Sequence, residues 1–243
     1  MRLDTTNLDH RELNERIRKQ IASGETRFHL TNVLGQRYLA VGVVGPVDFH
    51  IIGVPGNDLG AFMDGPSVRV EGNVQDCVGN TMSSGTIVVN GDARDLLGHS
   101  MRGGRVFIKG DVGYRVGVHM KSYQNQFPVV VVGGSAGDFT GEYMAGGVIM
   151  ILNLWNPSGP PVGNLLATGM HGGSIYVRGE VDAETMGREA GCVALTEDDD
   201  ALLAGLIDEY RGHFPDVKVD YVRGEFRKLA PLSHRPYGRL YAY

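Results

Sequence analysis

The sequence predicts a mainly β fold: a right-handed, single-stranded parallel β-helix of about six to seven coils of 19 residues, with an N-terminal helix-and-strand cap and a C-terminal helix and tail. Three observations predict it. Gly53, Gly72, Gly91 and Gly110 stand 19 residues apart, as do Gly60, Gly79, Gly98 and Gly117, and Met63, Met82, Met101 and Met120. A period near 20 held at three independent positions marks stacked coils. Five and seven residues after each repeat methionine come Val68 and Val70, Ile87 and Val89, Val106 and Ile108, Ile149 and Ile151, Ile175 and Val177; in the fourth copy, shifted by an insertion, they are Val130 and Val132. Spacing of two puts both members of a pair on one strand face, and β-branched side chains suit that pleated surface. Finally, each copy is too short to hold a helix and return, and the LxxLxL pattern of leucine-rich repeats, the rival at this period, is absent.

Residues 1–48 read as the N-terminal cap. Leu13, Ile17 and Ile21 recur at i+4 on a helix from Asn7 to Gly24, started by Asn7 or Asp9 and ended by Gly24. Phe28–Val33 and Tyr38–Val44 read as strands split by a turn at Gly35. Such a cap covers the unpaired backbone and apolar core at the open end of a solenoid.

Residues 49–195 read as the β-helix. A second inward position lies four residues before each methionine: Leu59, Val78, Leu97, Val116, Thr140 and Leu166. Glycines after the methionine (Gly65, Gly85, Gly103, Gly104, Gly146, Gly147, Gly172 and Gly173) mark corners. Gly141 and Met144, then Met170, continue the repeat after insertions of five residues (144 − 120 − 19) and seven (170 − 144 − 19). The first, Ser122–Phe127, carries Tyr123 and Phe127; the second, Asn153–Pro161, carries Trp155. Both read as loops bulging from the coil surface.

Residues 196–243 read as a C-terminal helix and tail. Thr196 caps the helix, Asp198, Asp199 and Asp200 fall in its first turn, and Leu202, Leu203, Leu206, Ile207 and Tyr210 form its buried stripe before Gly212 and Pro215 end it. Val217, Val219 and Tyr221 alternate as a short strand. Phe226–Tyr243 has no clear periodicity and is rich in Arg and Tyr, among them Arg235, Tyr237, Arg239, Tyr241 and Tyr243.

Composition narrows the function. A net charge of −5 without a long basic run argues against a nucleic-acid or anionic-membrane partner. The polar start, Met1-Arg2-Leu3-Asp4, leads us to expect no signal peptide, and no apolar run approaches the length of a membrane span. The cytoplasm is the expected compartment. Cys77 and Cys192, the two cysteines, cannot build a disulfide framework, a zinc site or an iron–sulfur site.

Few residues suggest chemistry. Gly133-Gly134-Ser135-Ala136-Gly137 matches the GxSxG pattern of serine hydrolases, but a nucleophile elbow needs a helix next. Here the next coil follows in register, so Ser135 reads as a corner residue. His99, His119 and His171 lie at different repeat phases, and the eight histidines are not expected to cluster into a metal site. Asp198–Asp200 read as a solvated, dipole-matched helix start rather than a cation site. Cys77 occupies a position that tolerates many side chains, so no catalytic thiol is expected there. No catalytic, cofactor-binding or metal-binding residue is assigned. The features that break the repeat, Tyr123, Phe127, Trp155 and the Arg/Tyr tail, are the expected partner contacts, because Tyr, Trp and Arg are enriched where proteins bind proteins.

The glycine-spaced coils resemble a known family. The run Gly72-Asn73, Gly79-Asn80-Thr81-Met82, Gly91-Asp92-Ala93, Leu97-Gly98, Met101-Arg102-Gly103-Gly104 and Gly110-Asp111 is similar to the glycine-repeat (GXGXG) domain at the C-terminus of the glutamate synthase large subunit. Gly141-Glu142-Tyr143-Met144-Ala145-Gly146-Gly147 resembles that domain's GCEYMTGG-type segment, with Gly141 at the Cys position. The resemblance is close over roughly residues 50–180, and the whole length resembles the stand-alone, archaeal-type subunit. The C subunit of formylmethanofuran dehydrogenase resembles the same coils. The resemblance implies a scaffold: a non-catalytic subunit of a split glutamate synthase, an oxidoreductase complex of glutamate biosynthesis. It implies a glutamine amidotransferase subunit and a flavin-containing synthase subunit as partners, with FMN and iron–sulfur in those partners and no cofactor in this chain. A scaffold like the formylmethanofuran-type C subunit and an independent hydrolase using Gly133–Gly137 are the alternative readings.

Overall fold

Strands form where the inward pairs lie, and corners form where glycine returns. The computed structural model describes residues 1–232. Its elements are β1 (Arg2–Asp4), α1 (His10–Ala22), β2 (Arg27–Leu34), β3 (Asp48–Val54), β4 (Asp64–Glu71), β5 (Ser84–Val89), β6 (Arg105–Ile108), β7 (Val129–Val132), β8 (Ala145–Ile151), β9 (Gly172–Arg178), β10 (Ala190–Val193), α2 (Glu197–His213) and β11 (Phe226–Pro231). One eleven-stranded sheet runs β1-β2-β3-β4-β5-β6-β7-β8-β9-β11-β10, parallel from β1 to β9. The fold is a parallel β-solenoid.

The core is built from columns. Val68, Ile87, Val106, Val130, Ile149 and Ile175 lie in direct register, one per rung. Val70, Val89, Ile108, Val132, Ile151 and Val177 form a second column. All twelve side chains are fully buried, as are the methionines from Met63 to Met170 at the repeat position. The columns continue upstream through Phe49 and Ile51 of β3 to Phe28 and Leu30 of β2, so β2 belongs to the same stack. A further column, Val74, Ala93, Val112, Ala136 and Val162, also lines the core, four of its members joined by isolated parallel bridges outside the sheet.

The corners follow one backbone rule. In the coil ending at Met82, Cys77 (φ 64°), Gly79 (φ 68°) and Thr81 (φ 53°) take the left-handed conformation at alternate positions. The alternation points successive N–H groups up and down the axis. Cys77 N donates to Asp95 O (2.9 Å) and Thr81 N to His99 O (2.8 Å) in the next coil; Gly79 N donates to Leu59 O (2.9 Å) in the previous one. The central position admits little besides glycine: a Cβ on Gly60 would lie 2.7 Å from Ile87 Cδ1.

Two sequence expectations are corrected. Tyr38–Val44 is not a strand but the first corner, with Tyr38, Ala40 and Gly42 at the left-handed positions (φ 66°, 59° and 64°). It escaped the repeat because Ala40 replaces the central glycine and Val43 the methionine. Val217–Tyr221 forms no strand; Val217 and Val219 are instead buried against α2 and the sheet.

Both ends are closed as a solenoid requires. The helix is shorter than Asn7–Gly24 because Asp9 caps it, accepting from Glu12 N at 2.9 Å, while Gly24 (φ 92°) follows its last turn. Leu13 and Ile17 of α1 plug the first coil. At the far end β11 lies antiparallel on β9, carrying Leu229 into the core, and β10 adds antiparallel to β11.

The sheet's outer face decides where α2 goes. The residue between each inward pair points outward: His29, His50, Arg69, Val88, Phe107, Val131, Met150 and Tyr176 form one row in register. From Val88 onward the row is apolar, and there Leu203, Leu206, Ile207, Tyr210 and Phe214 pack on it as a second hydrophobic core. Burying such side chains contributes about 1.5–3 kcal/mol each.

Asp199 pins this layer. It completes a capping box with Thr196, yet it is only 5% exposed, not the solvated residue expected from its place in an acidic first turn. Its Oδ1 accepts from Lys228 Nζ (2.7 Å) on β11 and from Tyr176 Oη (2.5 Å) on β9. Burial alone would raise its pKa, but the bonds from Lys228, Thr196 and Tyr176 outweigh that and hold it well below the usual carboxylate range.

Two predictions follow from this packing. Val89→Asp places an unpaired carboxylate between Val70 and Ile108 and should lower unfolding free energy by about 3 kcal/mol or more, read by urea denaturation; a loss under about 1 kcal/mol would contradict the inward register. Lys228→Met leaves Asp199 buried without its cation and should cost about 2–4 kcal/mol at pH 7. Because folding lowers the Asp199 pKa, the pair's contribution is complete above about pH 4 and is lost as pH falls. Thermal melts of the wild type should therefore drop below pH 4 more steeply than those of Lys228→Met.

Candidate partner interface

Where the repeat is broken, the structure holds the breaks in place. The Trp155 loop leaves β8 through Asn153 (φ 47°, 3% exposed), whose Nδ2 donates across the loop to Gly159 O at 3.2 Å. Leu154 N donates to Gly133 O (2.8 Å) and Trp155 Nε1 to Lys109 O (2.8 Å). Tyr210 Oη of α2 reaches the same carbonyl at 3.2 Å, and Lys109 Nζ pairs with Asp216 at 2.6 Å. The indole is thus anchored by its polar edge while its ring stays 50% exposed.

The Ser122–Phe127 loop is a tight hairpin. Tyr123 and Gln126 exchange both backbone hydrogen bonds at 3.0 Å, with Gln124 at φ 55°. Tyr123 is 57% and Phe127 47% exposed. The structure does not bring this pair together with Trp155. Gln126 packs beside Gly103, just before β6, whereas Trp155 bonds to Lys109, just after it. The two loops therefore project from opposite ends of the strands. Arg235, Tyr237, Arg239, Tyr241 and Tyr243 lie outside the described residues. The start of the tail, Phe226–Pro231, is strand β11, so that part closes the sheet.

The motif-like residues have structural roles. Ser135 Oγ donates to Asp111 Oδ1 (3.0 Å), and its N–H to the same oxygen (2.7 Å). Asp111 N is likewise held by Asp92 Oδ1, and Asp92 N by Asn73 Oδ1, each at 2.9 Å, so side chains of one coil accept from the backbone of the next. Ser135 ends that ladder, and its neighbour Ala136 faces the core. In the Gly141–Gly147 segment, Glu142 pairs with Arg115, whose guanidinium lies 4.6 Å from the Phe139 ring centroid. Met144 is buried, and a Cβ on Gly147 would meet Pro128 Cγ at 2.7 Å.

The histidines are closer together than their repeat phases suggest. His99 and His119 have ring centroids 6.2 Å apart, and His119 stacks on Tyr143 at 5.4 Å. Burial and the neighbouring His119 hold the His99 pKa below the ordinary histidine range. His29 and His50 touch through Nδ1 atoms 3.0 Å apart. Among the described residues no group of three or more His, Cys, Asp and Glu is placed to hold a metal ion. Asp200 is paired with Arg223 at 2.7 Å. Burial pushes the Cys77 thiol up to about 11, helped by Asp58, Asp76 and Asp95, which leaves it a poor nucleophile at neutral pH.

Two surfaces escaped the sequence reading. The left-handed corners expose aromatic and aliphatic side chains at their outer positions, Tyr38 and Leu165 at the first and Phe62 and Tyr143 at the third; nothing in their spacing alone reveals their backbone conformation. The outward row before α2 carries Arg2, His29, His50 and Arg69. Its signal was present in the residues flanked by the inward pairs, which change from charged to apolar at Val88.

A model of the family described as GXGXG motif matches residues 12–227. The chain is also similar to an uncharacterized protein of Methanocaldococcus jannaschii, 48% identical over 248 aligned positions that cover 98% of this chain and 95% of that protein. No helix among the described residues is long and apolar enough to cross a membrane.

Because Ser135 is spent on the Asp111 ladder, Ser135→Ala should leave any ester hydrolysis by the purified protein unchanged and cost about 1 kcal/mol of stability for the lost hydrogen bond. A p-nitrophenyl acetate assay beside a thermal melt checks both. Loss of a robust hydrolytic rate with the melt preserved would make the serine catalytic.

Proposed function

The chain belongs to the GXGXG motif family, and from that premise we propose that it is a non-catalytic β-solenoid subunit of a split glutamate synthase or a related amidotransferase complex. The observation that carries this reading is the family match over residues 12–227, which spans the coils whose glycines resemble the glutamate synthase domain. The geometry supports it, because the repeat glycines, the repeat methionines and the Glu142–Gly147 segment all act in packing and coil-to-coil bonding. Residues in such roles build a rigid body that holds other subunits apart at a fixed distance. In this reading the partners are a flavin-containing synthase subunit and a glutamine amidotransferase subunit, and FMN and iron–sulfur reside in them. The chain's own Cys77 and Cys192 are too few for a four-cysteine cluster.

Recognition falls to the surfaces that interrupt the repeat: Trp155 at one end of the strands, Tyr123 and Phe127 at the other, and the tail with Arg235, Tyr237, Arg239, Tyr241 and Tyr243. Two opposed aromatic loops suit a body that contacts two different partners. Since Phe226–Pro231 is part of the sheet, a test of the tail begins at 233.

In the native organism, affinity purification of this chain should bring down synthase and amidotransferase subunits with glutamine-dependent formation of glutamate from 2-oxoglutarate. Trp155→Ala and deletion of 233–243 should each leave circular dichroism unchanged and weaken co-purification about tenfold or more. An active complex that assembles equally well with both changes would remove these surfaces from the interface. Purification with molybdopterin-enzyme subunits instead would move the scaffold to a different complex.

A further inference from the structure

The outward row of the sheet carries one part that the second core does not use. α2 packs from Val88 onward. Ahead of it, Arg2, His29, His50 and Arg69 are direct cross-strand neighbours on β1 to β4. They line an open groove with Arg27, Asp48 and Glu71. Like charges directly opposite one another on a sheet are unfavourable, so four side chains able to carry positive charge in one row require an explanation.

The carboxylates in the groove account for only part of it, the Arg69 and His50 end. Glu71 is already committed: Asn90 Nδ2 donates to it at 2.8 Å, Arg69 Nε lies at 2.9 Å and His50 Nε2 at 3.7 Å. The Asn90 bond, then Arg69 and His50, hold its pKa below the usual range against the effect of burial. Arg69 is further fixed by the His213 carbonyl at the end of α2, at 3.3 Å. Among the described residues the Arg2 and Arg27 guanidinium groups have no ion-pair partner. Three arginines against Asp48 and Glu71 leave the groove at +1 (3 − 2) before either histidine gains a proton, on a chain whose net charge is −5.

We propose that this groove binds a carboxylate-rich segment of a partner protein, laid across the strands along the Arg2–His29–His50–Arg69 row. Three strand spacings make the row about 14 Å long, more than one small anion can span and well suited to several successive side-chain carboxylates. Arg2 and Arg27 supply free guanidinium forks for carboxylates. The His29–His50 contact uses the Nδ1 atoms of both rings and His50 Nε2 faces Glu71, which leaves the Nε2 edge of His29 for the groove's contents. A nucleic-acid backbone fits less well, since it would run past the groove onto a surface of opposite preference on this acidic chain. The surface is independent of the Trp155 and Tyr123 loops, so the assignment stands whether or not those loops contact synthase subunits.

The test titrates the full chain with N-acetylated, amidated hexaglutamate, following the histidine imidazole signals by NMR and the affinity by calorimetry. Hexaglutamate should move the His29 and His50 signals while leaving those of His99 and His119 in place, and its affinity should fall as salt rises. An Arg2→Gln, Arg27→Gln double variant, with its circular dichroism unchanged, should bind about tenfold more weakly. Inorganic phosphate and free glutamate at equal charge concentration should shift the same signals far less. The proposal is overturned by absence of hexaglutamate binding, by unchanged affinity in the double variant, or by shifts centred on His99 and His119. Phosphate acting as strongly as the peptide would overturn it too, making the groove a small-anion site.

Discussion

Every coil of this molecule is bonded to its neighbours by its own backbone, and that requirement governs the rest. A peptide group inside a solenoid has no water, so its N–H and C=O must find partners one rung up or one rung down. In the strands, parallel pairing does this automatically. At the corners it does not, and the chain resorts to left-handed residues at alternate positions, which turn successive N–H groups toward opposite neighbours. Glycine takes the middle of these positions in most coils, where a Cβ would crowd an isoleucine of the interior as at Gly60, Gly117 and Gly141, while Ala40 and Ala167 take it in the corners that begin at Tyr38 and Leu165. The outer two accept Cys77, Leu96, Arg115 or Thr81, since their side chains project away from the core. A non-glycine residue held there costs of order 1 kcal/mol, and the interlocking hydrogen bonds sustain it.

Stacking in exact register has a second consequence. Each rung places chemically similar residues above one another, so a column of β-branched side chains, a column of methionines and a ladder of Asn and Asp acceptors arise from one repeated unit. The same logic applies to the outer face, where one residue per rung reports what lies over the sheet. Its apolar half is covered by α2 and secured by the buried Asp199–Lys228 pair, with Tyr176 as a third partner. Its charged half is left to solvent. The molecule is therefore asymmetric along its axis despite a regular core, and that asymmetry distinguishes one end of the solenoid from the other.

The repeat divides its residues between the stack and the surface. The residues that repeat, glycines and methionines, are interior or at corners and serve the stack. The residues that differ from coil to coil lie on loops and on the outer face, where they leave the stack undisturbed. Insertions such as the Tyr123 and Trp155 loops are tolerated because the coil resumes its register after them, as the Ile108–Val132 and Ile151–Val177 pairings show. Anchoring of Trp155 to the Lys109 carbonyl further keeps that loop from being a loose appendage.

The period, the strands of the repeated coils, the inward columns and the stripe of α2 were legible in the amino-acid sequence, because each depends on spacing within one chain segment. So was the place of Ser135 inside the repeat, which ran through it without a break. The first coil was not legible: Ala40 and Val43 satisfy the same backbone and packing demands as glycine and methionine, but they erase the pattern. Nor could spacing show that Phe226–Pro231 inserts between β9 and β10, because antiparallel pairing with a distant strand leaves no period behind. The burial of Asp199, the contact of His29 with His50 and the separation of Trp155 from Tyr123 were decided by tertiary structure alone. Each depends on which rung a residue occupies and what lies across from it, and a one-dimensional repeat specifies the first of these far better than the second.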